Sequence, residues 1–243
     1  MKNYINHLII AIAVVIGCLL MGGAYKYKFQ SSEIILVTGL AEKDFTSDEV
    51  VWKGSFNRTG SDLKTAYAQL KEDEKAIRVY VKSKGIPDSS IVFSSVVVQK
   101  NFRQQIDVNG RDQGSVFTGY TLNGSVTVDS KNILLVENIS REVTELLQIG
   151  IEFNSGQPAY YYSKLNELKI DLLAKASEDA KLRAETIAKS SGVQLGKLKK
   201  ATMGVFQITG KNNNEDYSFG GSFNTSSRQK TASITLRVEY LAH

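Results

Sequence analysis

Hydrophobic and polar positions follow three patterns along this chain. The first is an uninterrupted apolar run: residues 8–25, LIIAIAVVIGCLLMGGAY, contain no charged side chain. That length reaches the lower range for a membrane-spanning helix. Tyr25, Lys26 and Lys28 follow as interfacial anchors. The pattern is compatible with an uncleaved signal anchor. It is also compatible with a cleaved signal, with Lys2 as the basic start and Gly22-Gly23-Ala24 as the small-residue site. A third reading is a lipoprotein signal, in which Val15-Ile16-Gly17-Cys18 is lipobox-like and Cys18 would be lipidated, although Leu19-Leu20-Met21 continue the apolar run. Each reading divides the chain into residues 1–28 and a domain of residues 29–243 carried across a membrane.

The second pattern, short apolar β-branched runs and period-two alternation, predicts strands. Ile34-Ile35-Leu36-Val37 opens one, Val50-Val51-Trp52 through Phe56 a second, and Ile91 to Val98 a third. Tyr120, Leu122, Val126 and Val128 alternate along the next, and Ile151-Glu152-Phe153 is a short one. Two strands close the chain, and in the last of them Ala232, Ile234, Leu236, Val238 and Tyr240 share a face.

The third pattern steps by three and four and predicts three helices. Leu63, Ala66, Leu70, Ile77 and Val81 form one stripe, entered through Thr59-Gly60-Ser61-Asp62 and closed by Gly85. Ile133, Val136, Val143, Leu146 and Leu147 form another, capped at Asp129-Ser130 and ended by Gly150. The longest stripe is Leu165, Leu168, Leu172, Ala176, Ala180, Ala184 and Ile187, with Ser163 as N-cap and Gly192 as C-cap. Its small central residues predict a close approach to a sheet or another helix. Asp171–Lys175, Asp179–Arg183 and Glu185–Lys189 are spaced as i,i+4 ion pairs. Residues 101–115 and 210–229 read as polar loops, the second of them mobile.

The resulting order, ββαββαβαββ after an N-terminal apolar helix, is an α+β arrangement: a largely antiparallel sheet covered by helices on one face. Open strand edges in such a sheet must be covered or blunted, and assembly into a homo-oligomer is one physical answer.

Composition narrows the chemistry. The 243 residues are 42% hydrophobic and 23% charged, which is ordinary for a globular chain. The two histidines, His7 and His243, stand at the extremes of the sequence, and Cys18 is the single cysteine. This inventory removes most zinc sites, Ser-His-Asp and Cys-His catalysis, and haem or iron–sulfur ligation. Only carboxylate, Lys, Tyr or Ser chemistry remains available, and no metal or cofactor is expected. Outside the apolar segment the domain has no cysteine and hence no disulfide. The net charge of +5 includes Lys2, Lys26 and Lys28; without them 27 basic side chains face 25 acidic ones. That balance gives no nucleic-acid footprint. A local basic excess, Lys181, Arg183, Lys189, Lys197, Lys199 and Lys200, reads first as a solvated face.

Few residues stand out as sites. Tyr160-Tyr161-Tyr162 could be an aromatic contact surface or could pack in part, and Tyr120 and Trp52 are further candidate contacts for a ligand. Asp48 reads as a turn or capping residue. Glu178 and Asp179 are adjacent on a helix, so they diverge and make a poor acid/base pair. Phe219-Gly220-Gly221-Ser222 lacks the strand–loop–helix context of a phosphate cradle.

Several stretches resemble the SIMPL-domain family of bacterial envelope proteins, which includes periplasmic immunogenic antigens. These are Ile35-Leu36-Val37-Thr38-Gly39-Leu40-Ala41 with Ser47-Asp48, then Gly119-Tyr120-Thr121 through Val128. The alanine-rich run Leu172-Leu173-Ala174-Lys175-Ala176 through Asp179-Ala180-Lys181-Leu182-Arg183-Ala184-Glu185, with Gly192-Val193 and Leu195-Gly196, matches most closely. Ser47 stands where many members carry proline. The resemblance implies an α+β domain facing the periplasm or cell exterior, ring-like or channel-like oligomers in some relatives, and no agreed catalytic residues. The resulting expectation is a non-enzymatic protein tethered to the inner membrane through residues 8–25, supporting envelope integrity or stress tolerance. A binding module for a small molecule or envelope polymer is the alternative.

Overall fold

The computed structural model describes residues 12, 14–23, 25, 33–106, 110, 112–212 and 218–243. It is an α+β fold with antiparallel sheets. Of the apolar run, residues 12, 14–23 and 25 are helical, and the rest of 8–25 lies outside the described residues. Among the described residues, no helix is long and apolar enough to cross a membrane.

The chain divides into two compact units. One comprises residues 1–40, 175–204 and 235–243; the other comprises 41–174 and 205–234. Strands β1 (Ile34–Thr46) and β10 (Gln229–Ala242) and helix α3 (Leu165–Ser191) each contribute residues to both.

The larger unit is built on β2 (Glu49–Gly60), helix α1 (Leu63–Ser83), β3 (Ile91–Phe93), β4 (Val97–Ile106), β5 (Asp112–Ser130), helix α2 (Ile133–Glu142), β6 (Phe153–Ser155) and β7 (Ala159–Tyr161). Its sheet runs β3-β5-β2-β6, with β4 also on β5 and β7 also on β2. The inward positions of β2 and β5, Val50, Trp52, Phe56, Leu122, Val126 and Val128, are buried with Leu70, Ile77 and Val81 of α1 and Val136 and Ile139 of α2. The apolar stripes of both helices therefore cover one face of the sheet, as their spacing requires. Two glycines make room in that face. A Cβ on Gly54 would overlap the Phe153 ring, and one on Gly124 would stand 2.7 Å from Phe56 Cζ. Aromatic side chains thus fill the space over two strand glycines.

Helix ends follow sequence chemistry in part. Asp62 caps α1, its carboxylate accepting from the Thr65 amide at 2.8 Å. Gly85, Gly150 and Gly192 adopt positive φ (103°, 78° and 72°) where the helical segments stop. The cap of α2 is Asn132 and not Asp129-Ser130: its side chain accepts from the Leu135 amide, while Ser130 accepts from the Asn132 amide. The 3₁₀ segment Val143–Ile149 continues α2 to Gly150. Ser163 does not cap α3, which starts at Leu165; its hydroxyl and amide both donate to Asp48.

Within the predicted loop 101–115, residues 101–106 and 112–115 are instead strand, with β4 pairing β5 from Val97↔Asn123 to Ile106↔Asp112, and residues 107–109 and 111 lie outside the described residues. The strand side chains there are exposed on both faces. No core therefore selects an alternating pattern, and polar residues suffice to make a ribbon that reads as a loop. The predicted strand order also lacks divisions that the structure shows. Strand 91–98 is split into β3 and β4, the short strand runs at Phe153–Ser155, and β7 is additional. Three strands follow α3: β8 (Leu195–Met203), β9 (Gln207–Gly210) and β10.

In the smaller unit β10 pairs β8 antiparallel, Leu236↔Met203 through Ala242↔Leu195, and β1 is the other neighbour of β10. The buried positions Ile35 and Val37 of β1 and Ala180, Ala184 and Ala188 of α3 supply its packing. His243, the last residue, is tied by its main chain: its carbonyl accepts from the Gln194 amide at 2.8 Å and its amide donates to the Gln194 carbonyl at 3.1 Å.

Candidate contact surfaces

Cys18 is exposed on the helical residues 14–23. The three tyrosines do not form one surface. Tyr160 is half-buried; its hydroxyl donates to Glu137 at 2.9 Å, and burial followed by that carboxylate pushes its pKa up to about 12. Tyr161 gives its carbonyl to the Asp48 amide. Tyr162 stacks against Phe45, ring centroids 4.8 Å apart. Tyr160 and Tyr161 are neighbours on β7 and so point in opposite directions, and the rings of Tyr160 and Tyr162 are committed to intramolecular partners. Trp52 is fully buried, its indole N–H donating to Ser155 and the Gly156 carbonyl. Tyr120 packs against Phe117 at 5.0 Å.

Asp48 holds the entry to α3. Burial works against its ionisation, but the Ser163 hydroxyl at 2.6 Å and amide at 2.8 Å outweigh it and keep the carboxyl below the usual aspartate value.

Two buried charges escaped the sequence reading. Lys230 is 1% exposed; its ammonium donates to the Tyr160 carbonyl at 2.5 Å and lies 5.9 Å above the Phe223 ring. Its place, two residues before Ala232 on the inward face of β10, was the available signal. Asp73 sits within the α1 stripe and takes a two-point hydrogen bond from Arg58, at 2.5 and 2.7 Å. Ser218 to Ser227, expected to be mobile, is pinned where described. Gln207 accepts from the Ser222 amide at 2.6 Å and donates to the Ser218 carbonyl, while Asn224 accepts from the Ser227 amide.

The smaller unit explains the glycine and alanines of the family-like segments. A Cβ at Gly39 would run into the Ala176 carbonyl and stand 2.7 Å from Ala180 Cβ. The helix thus lies directly on the β1 backbone, as its small central residues imply. Asp179 fastens the crossing: its Oδ2 accepts from the Leu40 amide at 2.9 Å and from Arg183 Nε at 2.8 Å. The Leu40 amide, then Arg183, lower its carboxyl pKa. Beside this clasp runs a groove of about 640 Å³, lined by Leu36, Val37 and Thr38 and by Asp179, Leu182, Arg183, Thr186 and Ile187. The spaced ion pair Asp179–Arg183 is thus formed; Glu185 meets Lys181 at 3.7 Å, and Asp171 meets Lys43 at 2.9 Å.

A second surface is the free length of the β4–β5 hairpin. Phe102 and Phe117 are a directly paired, edge-on couple 5.8 Å apart. Both are exposed, as are Ile106 and Val116.

Residues 35–240 match the family model of SIMPL, described as a protein of unknown function (DUF541). The match covers most of the chain, and the protein belongs to the SIMPL family. No curated protein matches it.

Proposed function

With SIMPL membership as the premise, we propose that the protein is a membrane-tethered, non-enzymatic envelope component whose extracytoplasmic domain assembles into a homo-oligomer. The observation that carries the assembly is the β4–β5 hairpin. Strand β4 has β5 as its one neighbour among the described residues. Beyond the covered sheet, a two-stranded ribbon is marginally stable in water without a further partner. Its exposed Phe102–Phe117 pair and Ile106 supply apolar area of the kind interfaces use. The charge-free residues 8–25 support the tether, with the domain facing the periplasm. The histidine and cysteine inventory, together with a candidate surface made of packing residues, supports a role without chemistry.

Two measurements test this reading. Fractionation of cells expressing the full chain should place it in the inner-membrane fraction, and added protease should digest the domain only when it reaches the periplasmic side. Light scattering of the purified chain should give a multimer whose mass falls on Phe102→Ser/Phe117→Ser substitution, with the melting temperature changed by no more than about 2 °C. A monomeric wild-type chain, or full recovery from the cytosol, would sink the proposal.

A further inference from the structure

The groove beside the Asp179 clasp combines an open strand edge with an apolar helix flank. The edge follows from alternation. The Glu33 carbonyl accepts from the Ala242 amide of β10 at 2.8 Å, so the odd-numbered residues of this stretch direct their backbone polar groups toward β10. The even-numbered residues direct theirs away. Leu40 conforms, because its amide is taken by Asp179 on α3 and not by a strand. Burial alternates without a break from Ile34 to Ala41, so no bulge resets this direction. Leu36 and Thr38 therefore turn an N–H and a C=O each into the groove, and β1 has β10 as its one strand neighbour among the described residues. Across the groove stand Leu182 and Ile187, both exposed, with Thr186 between. Arg183 spends Nε on Asp179, and its two terminal nitrogens have no partner among the described residues.

We infer that this groove binds an extended peptide segment by strand addition to β1, the apolar side chains of its helix-facing set lying against Leu182 and Ile187, a carboxylate of the peptide meeting Arg183, and its intervening residues lying beside Leu36 on the other face of the sheet. An unpaired edge between a strand and a helix is the arrangement by which folded domains take up peptides: main-chain hydrogen bonds supply affinity, and alternate side chains supply selectivity. The charge sets the preference for an acidic residue. Asp179 Oδ2 already has two donors, so the terminal nitrogens of Arg183 are the open cationic donors of the groove. The Asp179 clasp limits the docking length, since it closes the edge at Leu40. The inference is independent of membrane tethering and of assembly through the β4–β5 ribbon.

The test uses the purified full-length chain in lipid nanodiscs and a phage-displayed library of random nonapeptides, with empty nanodiscs as the counter-selection. Enriched sequences should alternate apolar residues and carry an acidic one. Synthetic copies should bind saturably, and N-methylation of alternate amides should weaken binding at least tenfold. Leu182→Glu/Ile187→Glu should weaken it at least tenfold while the melting curve and light-scattering mass stay unchanged, and Arg183→Glu should shift selection toward basic peptides. No enrichment over empty nanodiscs would overturn the inference, as would binding indifferent to N-methylation and to the Leu182/Ile187 substitutions. So would a fall in oligomer mass on those substitutions, because the edge would then be occupied by a second copy. The Phe102/Phe117 variant, read by mass alone, keeps that failure separate from failure of the assembly proposal.

Discussion

The two units solve the same packing problem, a glycine in a strand, in opposite ways. In the larger unit Gly54 and Gly124 lie under the rings of Phe153 and Phe56. In the smaller unit Gly39 lies under the backbone of α3, against the Ala176 carbonyl. A ring can tilt about its χ angles, whereas a helix backbone moves only as a body. The first arrangement is therefore tolerant of an added methyl and the second is not. The difference shows which unit depends on side-chain volume and which on the absence of side chains.

The largest expected effect breaks that contrast directly. Gly39→Ala should cost about 3 kcal/mol or more, near the upper end for overpacking, while Gly124→Ala should cost about 1–2 kcal/mol because Phe56 can shift. Denaturant unfolding of the two variants side by side checks this, and equal losses would remove the distinction. Next in size is the charge inside the larger unit. Arg58→Ala leaves the Asp73 carboxylate, 7% exposed, without its partner, and should cost about 2 kcal/mol given that Arg58 is itself partly solvated. Restoring volume with a second change, Asp73→Leu, should recover part of that loss in the same unfolding assay.

The smallest effect belongs to the clasp of the smaller unit. The carboxyl of Asp179 titrates below its unfolded value near 3.8 because the Leu40 amide, then Arg183, favour the ionised form. The stability it adds is therefore complete above that value and is lost as pH falls through the lower folded-state value. The wild-type melting temperature should exceed that of Asp179→Asn by roughly 1–2 °C at about pH 7, and the gap should close toward about pH 2. A gap that persists in acid would mean that Asp179 acts through shape and not through charge.

Much of this was readable from residue order. The α1 stripe, the Asp62 cap, the glycine ends at 85, 150 and 192 and the clean alternation of β10 all follow local rules, and each is present. The close approach at α3 was legible from Ala176, Ala180 and Ala184, but its counterpart Gly39 was not, because nothing local couples residues so far apart in sequence. The ribbon was missed since strands solvated on both faces carry no alternation. Asp73 and Lys230 were missed for a related reason: a polar residue in an apolar phase looks like an error until its distant partner, Arg58 or the Tyr160 carbonyl, is seen. The tyrosine run drew notice by composition alone, and two of its rings are taken by Glu137 and Phe45, partners far away in sequence.

From sequence alone came the α+β class, the family, the apolar run of residues 8–25 with Cys18 and the scarcity of histidine and cysteine. All of these are set by composition or by contacts within a few residues. Only the folded chain could decide which β1 amides point away from β10, which glycine sits under a helix and which lysine is enclosed. Those facts depend on pairings between distant segments, and hydrogen-bond direction along a strand has no signature until its neighbour is known.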